Sequence, residues 1–457
     1  MTQVRNPLTG EIDRQLAPPS SDELAATAAR LRAAAPAWRD ADRAAVLSRF
    51  GAALAADDDL LAALVADTGR TGESVLERQI VAGMIERWVR QAPDLLAAPE
   101  DQAASIPGLV IGGDVVPYDL VGVISPWNFP LLLGLIDAIP ALAAGCAVLV
   151  KPSEVTPRFI EPLMRLVPDE LPLAVVEGAG ETGAAVIGLV DAVVFTGSVP
   201  TGRKVAEAAA KAFIPASLEL GGKDPAIVLA GSDLDRAAAA ILWGGTANAG
   251  QSCQSIERVY VERAVHDEFL ALLVEKAAKV GLTCEGGPIG PLIAADQAEV
   301  ITRHLADATG RGAVVHTGGV IEHHGGGLWC RPTVVSAADH SMALMTEETF
   351  GPILPVMAVD SADEAVRLAN DSVYGLSGAV FAETEEAARA LARRLEVGAV
   401  SVNDASLTAM VHEGEKNSFR LSGLGGSRMG RASIARFVRR RSHLVNRALA
   451  ADPWWHR

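Results

Sequence analysis

Five short apolar runs alternate with helical segments in the middle of this chain, and this alternation constrains the fold more than any other feature. The runs cover residues 120–124, 147–150, 174–176, 192–195 and 226–229. Strands that alternate with helical patterns predict βαβ units, in which a parallel sheet is covered by helices on both faces. We therefore expect an α/β protein.

The flanking regions extend this interpretation. Residues 22–96 carry alanine, leucine, arginine and glutamate at helical spacing, which indicates several amphipathic helices. Beyond Gly231 the alternation resumes, so we expect a second α/β domain that begins near Leu220. Its strand-like and helical runs cover residues 237–243, 255–261, 266–280, 313–317 and 362–369.

One segment has a residue pattern that differs from that of both predicted domains. Residues 109–118 consist of two apolar runs separated by Gly112, Gly113 and Asp114. A Gly-Gly-Asp sequence between apolar runs is typical of a tight turn. We therefore predict a β-hairpin here, which reaches out to a partner subunit.

Composition narrows the class of function. A chain of 457 residues that is 49% apolar and 21% charged can bury more than one core. Its net charge of −16 argues against nucleic acid and anionic membranes as partners, and favours a small-molecule substrate. The four cysteines form no CxxC pair, and the adjacent His323 and His324 are expected in a Gly-rich loop without helical partners. Neither disulfides nor a metal site are therefore expected.

Residues 129–150 are long and apolar enough to span a bilayer, but they contain Asp137 and Pro140 and run directly into Lys151. We interpret them as a buried helix followed by a strand. The N-terminus lacks the apolar core of a signal peptide, so a cytoplasmic location is expected.

Several segments carry residues suited to chemistry, and each has a structural alternative. Residues 178–183 match GxGxxG, which is either a dinucleotide fingerprint or a Gly-rich turn. Asn128, framed by Pro126 and Pro130, is either a helix cap or an oxyanion donor.

Further candidates stand where predicted strands end. Lys151 and Glu154 are suited to bind ribose hydroxyls, or they form a surface ion pair. Ser198, which follows Gly197, either caps a helix or contacts a phosphate. Glu219, followed by two glycines that permit close approach of another backbone, is a candidate general base. Cys253 follows small residues, although a lone cysteine is more often an inert buried group than a nucleophile.

Together, in this order and spacing, these segments resemble the aldehyde dehydrogenase superfamily from about residue 5 to residue 444. The resemblance implies that Cys253 is the nucleophile, Glu219 the general base and Asn128 the oxyanion donor. It also implies cofactor contacts, with residues 178–183 flanking the adenine end. The implied contacts are Ile124, Trp127, Lys151, Glu154, Gly197, Ser198, Leu220, Glu348 and Phe350. Glu154 would repel a 2′-phosphate, which favours NAD, while NADP is possible through Lys151.

The resemblance also implies an organisation and a reaction. A Rossmann-like NAD-binding domain would comprise residues 1–108 and 120–219, a catalytic α/β domain residues 220–410, and a small β bridging element residues 109–119 and 430–457. The bridging element implies a homodimer or homotetramer. Aldehyde would be oxidised through a thiohemiacetal and a thioester of Cys253, which water activated by Glu219 hydrolyses.

Alternatives to this reaction are a coenzyme-A-acylating enzyme, against which Glu219 argues, a semialdehyde dehydrogenase, and a catalytically silent dinucleotide-binding relative. The chain also departs from the family pattern. Many members have a Phe-Gly-Gly sequence before the segment that corresponds to residues 422–425 and an Arg-Glu sequence after it. This chain instead has Glu-Lys-Asn-Ser-Phe at residues 415–419 and Gly-Ser-Arg-Met at residues 426–429. Residues 131–136 are aliphatic where members often carry an aromatic residue, so we expect an apolar or aromatic aldehyde rather than a small charged semialdehyde.

Overall fold

The computed structural model describes residues 2–447. The N-terminal part contains a short antiparallel strand pair, four helices and two further strands. These are β1 (Gln3–Arg5), β2 (Ile12–Gln15), α1 (Ser21–Asp40), α2 (Arg43–Ala56), α3 (Asp58–Thr68), α4 (Thr71–Leu95), β3 (Gln102–Ala103) and β4 (Leu109–Pro117). The sequence explains the helix ends, since Ser20 forms a capping box with Glu23 at the start of α1 and Gly69 ends α3 in the left-handed conformation.

The first α/β unit comes next along the chain, with helices between successive strands. Its elements are β5 (Leu120–Ile124), α5 (Pro130–Leu135), α6 (Ala138–Ala144), β6 (Ala147–Lys151), α7 (Ile160–Leu166), β7 (Leu173–Val175), α8 (Gly180–Ile187), β8 (Ala192–Thr196), α9 (Val199–Ala212) and β9 (Ala216–Glu219).

The second α/β unit and the C-terminal segments complete the described chain. Their elements are β10 (Asp224–Val228), α10 (Leu234–Thr246), β11 (Ile256–Glu262), α11 (His266–Ala278), α12 (Gln297–Gly310), β12 (Val314–Val315), β13 (Ile321–His324), β14 (Gly327–Cys330), β15 (Thr333–Ser336), α13 (Ala343–Thr346), β16 (Ile353–Val359), α14 (Ala362–Asn370), β17 (Tyr374–Gly375), β18 (Ser377–Phe381), α15 (Glu385–Ala392), β19 (Ala399–Val402), β20 (Phe419–Arg420), β21 (Gly423–Leu424) and β22 (Val438–Asn446).

The first sheet has the order β21-β9-β8-β5-β6-β7, and β5 to β9 are parallel. Strand β5 is buried on both faces, because Val121 and Val123 pack in one core and Leu120 and Ile124 in another. This explains why its strands appear in the sequence as unbroken apolar runs. The chain moves outward in one direction from β5 to β7 and then returns to place β8 on the other side of β5, so the order reverses between β5 and β8.

The second sheet has the order β12-β15-β16-β11-β10-β18-β19, in which only the pair of β12 and β15 is antiparallel. It too is covered on both faces, since Ile227 packs in one core and its neighbours Ala226 and Val228 in another. The predicted α/β architecture with two sheets is confirmed.

Two local predictions were wrong. Residues 109–118 do not form a hairpin, because β4 is one continuous strand that pairs antiparallel with β22 along its whole length and with β3. The glycines serve close packing and not a turn: a Cβ on Gly113 would lie 2.4 Å from the carbonyl oxygen of Arg441 on the neighbouring strand. His323 and His324, expected in a loop, lie on β13 and pair with β14.

The pairing of β4 with β22 joins the two segments assigned to the bridging element. Residues 448–457 of that element lie outside the described residues. The apolar stretch 129–150 forms α5, α6 and most of β6, so it contains two short helices where one was predicted. Among residues 2–447, no helix is long and apolar enough to cross a bilayer.

Candidate active site

The reversal of strand order between β5 and β8 opens a crevice at their carboxyl ends, where α/β sheets of this kind bind ligands. Ile124 ends β5, and Gly197 and Ser198 connect β8 to α9. Ser198 stands at the N-cap position of α9 but its side chain makes no capping bond, and its hydroxyl lies 3.1 Å from Thr201 Oγ1. The Ser198 side chain therefore does not compete for the first-turn N–H groups of α9, which are suited to an anion.

Lys151 and Glu154 stand at the end of the neighbouring strand β6. The Lys151 ammonium is buried and donates to Glu154 Oε2 at 3.3 Å, while the Glu154 carboxylate is partly exposed. Burial lowers the pKa of Lys151, and the nearby Glu154 carboxylate partly offsets this. The pair presents both a cation and an anion beside the crevice.

The GxGxxG segment borders the crevice through its last glycine, since a Cβ on Gly183 would lie 3.7 Å from the Ile124 side chain and 3.8 Å from the Lys151 side chain. Residues 178–183 come after β7, which is the edge strand of the sheet and is separated from β5 by β6. Gly178 has φ of 155°, and a Cβ there would lie 2.2 Å from Thr182 Oγ1, so this glycine is required for a tight turn before α8. Gly178 thus forms the expected Gly-rich turn, and the place of the segment at the adenine end stays a prediction.

Asn128 lies after β5 and is buried within a network of hydrogen bonds. Its backbone carbonyl accepts bonds from Arg70 Nη2 at 2.9 Å and from Asn248 Nδ2 at 3.0 Å. Its side-chain Nδ2 donates to the carbonyl of Gln251 at 3.0 Å. An amide nitrogen carries two hydrogens, so one remains for another acceptor. Asn128 does not cap α5, because Phe129 occupies the N-cap position.

Behind Asn128 lies a buried pair that the sequence did not indicate. Arg70 stacks over the ring of Phe129 at 5.1 Å and lies 3.6 Å from Glu77 Oε1. The other oxygen of Glu77 accepts the N–H groups of Leu131 and Leu132 at 3.1 and 3.0 Å. Arg70 and Glu77 thereby fix both the start of α5 and the residue that precedes it.

The Cys253 segment has an uncommon backbone. Asn248, Ala249 and Gly250 all have positive φ, at 56°, 53° and 69°. The buried side chain of Gln251 holds this turn, since its Nε2 donates to the Asn248 carbonyl at 2.9 Å and its Oε1 accepts the Ile293 N–H at 2.8 Å. Cys253 is presented next to this rigid turn.

The two glycines after Glu219 allow the close approach that the sequence predicted. A Cβ on Gly222 would lie 2.3 Å from the Cys253 carbonyl oxygen, and a Cβ on Gly221 would lie 2.3 Å from Glu348 Oε2. The Glu348 carboxylate accepts the Gly222 N–H at 3.0 Å. Cys253, Glu219 and Glu348, which are distant in sequence, therefore meet at this Gly-Gly step.

The turn that carries Glu348 and Phe350 is held by Glu257, which sequence reasoning missed. The Glu257 carboxylate accepts the N–H groups of Thr349 at 2.7 Å and Phe350 at 2.8 Å, and it pairs with Lys223 at 2.5 Å. The Phe350 ring contacts the Trp127 ring edge-on at a centroid distance of 5.5 Å. A charged Glu-Arg pair within the apolar strand β11 was the available signal.

Glu219 ends β9 and is almost fully buried. Lys416 Nζ donates to its Oε1 at 2.5 Å, and Ser418 Oγ donates to its Oε2 at 2.9 Å. Burial raises the pKa of Glu219, but the positive charges of Lys416 and Arg428 outweigh burial and hold the pKa below its usual value. Lys416 was not among the predicted site residues, although the departure of this segment from the family pattern was a signal.

Cys253 has a thiol whose pKa is raised to about 12, chiefly by burial and further by the negative charges of Glu219 and Glu348. Lys416 and Arg428 act in the opposite direction. The thiol is therefore protonated at neutral pH in this arrangement. Its reactivity depends on changes in the charges around it.

Asn128, Glu219 and Cys253 line one cavity of about 770 Å³. Most of its wall is apolar, and Leu132, Leu133 and Ile136 contribute to it as the aliphatic sequence predicted. Its cations are paired: Lys276 with Asp235, Lys416 with Glu219, and Arg428 with Asp137, at 2.7, 2.5 and 2.7 Å. The lining residue His412 is buried, which lowers its pKa to about 4 and leaves it neutral.

Comparisons with known proteins agree with this architecture. The profile described as the aldehyde dehydrogenase family matches residues 1–442. A Mycolicibacterium smegmatis protein provisionally named as an NADP-dependent succinate-semialdehyde dehydrogenase is 38% identical over 95% of this chain and 86% of its own length. A 4,4'-diapolycopene aldehyde oxidase from Methylomonas sp is 36% identical over 87% of this chain and 76% of its own.

Among solved structures, one from Anabaena variabilis, provisionally assigned as the aldehyde dehydrogenase PutA, superposes with a TM-score of 0.97. It is 52% identical to this chain, and the match covers 99% of both chains. At this similarity the fold and the order of the elements correspond throughout.

Proposed function

Because the chain belongs to the aldehyde dehydrogenase family, it is an oxidoreductase that acts on aldehydes with a nicotinamide dinucleotide, and we propose that it oxidises apolar or aromatic aldehydes to carboxylic acids by way of a Cys253 thioester. The observation that carries the proposal is the shared cavity in which Cys253, Asn128 and Glu219 meet. A nucleophile, an oxyanion donor and a base are the groups that such a reaction needs.

The crevice between β5 and β8 fits the dinucleotide. The uncapped N-terminus of α9 beside Gly197 and Ser198 suits a pyrophosphate, and the paired Lys151 and Glu154 suit ribose hydroxyls. Glu154 favours NAD, because its negative charge would repel the 2′-phosphate of NADP.

On the nicotinamide side, Glu348 and Phe350 lie beside the cavity, and Trp127 packs against Phe350. Leu220 is buried and its N–H donates to the Ser422 carbonyl at 2.8 Å, so a contact with the cofactor would be made through its carbonyl. When bound, the dinucleotide supplies the hydride acceptor that turns the thiohemiacetal of Cys253 into a thioester.

The first half-reaction uses Cys253 and Asn128. The Cys253 thiol first gives up its proton to solvent. The resulting thiolate attacks the aldehyde carbon, and negative charge develops on the aldehyde oxygen. The free hydrogen of the Asn128 amide and the backbone N–H of Cys253 stabilise this oxygen. Because Asn128 is buried and hydrogen-bonded to Arg70, Asn248 and Gln251, the donor is oriented before the substrate arrives.

The second half-reaction uses Glu219. Its carboxylate takes a proton from a water molecule, and the resulting hydroxide attacks the thioester carbon. The carbon–sulfur bond breaks, the carboxylic acid leaves, and the proton held by Glu219 passes to the departing thiolate, which restores both the Cys253 thiol and the Glu219 carboxylate. A low pKa keeps Glu219 ionised and therefore able to accept this proton.

The lining of the cavity supports the proposed substrate class. The names of the relatives do not choose between substrates, since one refers to diapolycopene aldehyde and another to succinate semialdehyde. A carboxylate-bearing substrate would compete for cations that are already paired, since Lys416 and Arg428 are each engaged by a buried acid and Lys276 by the exposed Asp235. The neutral His412 adds no charge, and the apolar wall favours an apolar chain or ring.

The experiment compares Cys253→Ala with Cys284→Ala, a matched change at an exposed cysteine that does not itself line the cavity. NADH formation is measured with benzaldehyde, a medium-chain aliphatic aldehyde and succinate semialdehyde. We expect Cys253→Ala to abolish turnover, Cys284→Ala to match the wild type, and kcat/KM to be highest for the first two substrates.

Each part of the proposal has its own contrary result. Turnover by Cys253→Ala would show that Cys253 is not the nucleophile. A preference for succinate semialdehyde would contradict the proposed substrate class, and a requirement for coenzyme A would contradict hydrolytic release. The three results are independent of one another.

We also infer that the protein is a homodimer or homotetramer. Strand β22 lies at the edge of its three-stranded sheet and most of its residues are exposed, and an edge strand of this length readily pairs with another chain. Light scattering coupled to size-exclusion chromatography should give at least twice the monomer mass of 47.5 kDa. A monomer at micromolar concentration would contradict the inference.

A further inference from the structure

The segment that departs from the family pattern folds over Glu219. Its backbone is attached to the end of β9 at two places: Gly423 pairs with Glu219 in the β21–β9 ladder, and the Leu220 N–H donates to the Ser422 carbonyl at 2.8 Å. The Lys416 N–H donates to Ser427 Oγ at 2.9 Å. The position of Lys416 is thus set by the pairing of residues 422 and 423 with the end of β9 and by the bond from its own N–H to the Ser427 hydroxyl.

This attachment brings two side chains onto the two oxygens of one carboxylate. Lys416 donates to Oε1 and Ser418 to Oε2 of Glu219, at 2.5 and 2.9 Å. The side chains of Lys416 and Glu219 are only 2% and 10% exposed. A buried ion pair of this kind, with each oxygen hydrogen-bonded, holds a carboxylate in one orientation.

The charged and titratable groups around Glu219 come from several elements. Lys416 and Arg428 supply positive charge, and Arg428 is itself paired with Asp137 at 2.7 Å. The Cys253 thiol is coupled to Glu219, and Asp224 is coupled to Lys416. Burial raises the pKa of Glu219, Lys416 is the largest opposing influence, and Arg428 is the next.

We propose that Lys416 is a positioning residue for the general base, and that its ion pair with Glu219 keeps the carboxylate oriented and ionised for hydrolysis of the thioester. This inference rests on the proposed role of Glu219. Without the lysine charge, burial dominates, and Glu219 becomes protonated at a higher pH than in the wild type. Because only the carboxylate form accepts a proton from water, hydrolysis is then lost in mildly acidic solution.

The experiment measures the two half-reactions separately as a function of pH. The initial burst of NADH reports formation of the thioester, and the subsequent steady state reports its hydrolysis. The acid limb is the part of the pH profile in which the steady-state rate falls as the pH decreases. In Lys416→Met, we expect this limb to shift to higher pH by about one to two units, which is typical for the loss of a close opposite charge. Lys416→Arg should restore the wild-type limb, since the positive charge returns.

The controls separate this role from a structural one. Lys279→Met, a matched change at an exposed lysine, should leave the limb in place. Ser418→Ala removes one hydrogen bond from Glu219 and should move the limb in the same direction by less. If Lys416→Met does not fold, Lys416→Gln takes its place and the same outcomes decide.

One further variant distinguishes failure of this inference from failure of the proposed function. Glu219→Gln should keep the burst and lose the steady-state rate. Wild-type turnover by Glu219→Gln would remove Glu219 as the base. If Glu219→Gln loses the steady-state rate but the acid limb of the neutral Lys416 variant does not move, Glu219 is still the base. The proposed role of Lys416 is then wrong.

Discussion

The two polar groups that share the cavity with Cys253, Asn128 and Glu219, are held in contrasting ways. Asn128 is fixed by uncharged contacts with the Cys253 turn and by Arg70, which belongs to the same half of the chain. Glu219 is fixed by Lys416 and Ser418, from a segment about two hundred positions later in the sequence. The first region holds a neutral amide by hydrogen bonds, whereas the second holds a carboxylate by an ion pair.

The difference reflects the tasks that we propose for the two groups. A hydrogen-bond donor to an oxyanion never changes its protonation state, so a buried and preorganised network suits it. A general base gains and loses a proton in each cycle, so its surroundings must control its pKa as well as its orientation. The contrast teaches that the oxyanion side depends on a fixed geometry, and the base side also on a controlled protonation state.

The largest expected effect is a loss of stability on the oxyanion side, the region around Asn128. Arg70→Met leaves Glu77 buried without its cation and removes a donor to the Asn128 carbonyl. Removing one partner of a buried ion pair costs about 3–5 kcal/mol. Urea denaturation should show this loss, whereas Arg90→Met, at an exposed ion pair with Glu86, should cost about 1 kcal/mol or less. Equal stability of the two variants would mean that Arg70 does not support this region.

A smaller effect sharpens the contrast between the two sides. Asn128→Ala removes the proposed oxyanion donor and should lower kcat by about 10²–10³-fold, which is typical of such donors. Since Asn128 does not titrate, the acid limb of its pH profile should coincide with that of the wild type, unlike the limb of Lys416→Met. A shifted limb in Asn128→Ala would show that the two sides are coupled.

Much of the architecture was accessible from the sequence. The unbroken apolar runs predicted β5, β6, β7 and β8, because strands buried on both faces leave no room for alternating polar residues. The glycines after Glu219 predicted a close approach, and the structure brings the Cys253 carbonyl there. The local pattern predicted the wrong element at Gly113, where the structure has a continuous strand and not a turn. It left two interpretations of the GxGxxG segment open.

By itself, the sequence determined two α/β units, the order of the strands along the chain, and the residue types that pointed to Cys253, Glu219 and Asn128. Only the tertiary structure decided which distant groups meet them. Lys416 reaches Glu219 because β21 pairs with β9, and Glu257 reaches the Phe350 turn across the second sheet. The physical reason is that hydrogen bonds and ion pairs act over a few ångströms in space, and spacing along the chain does not encode those distances.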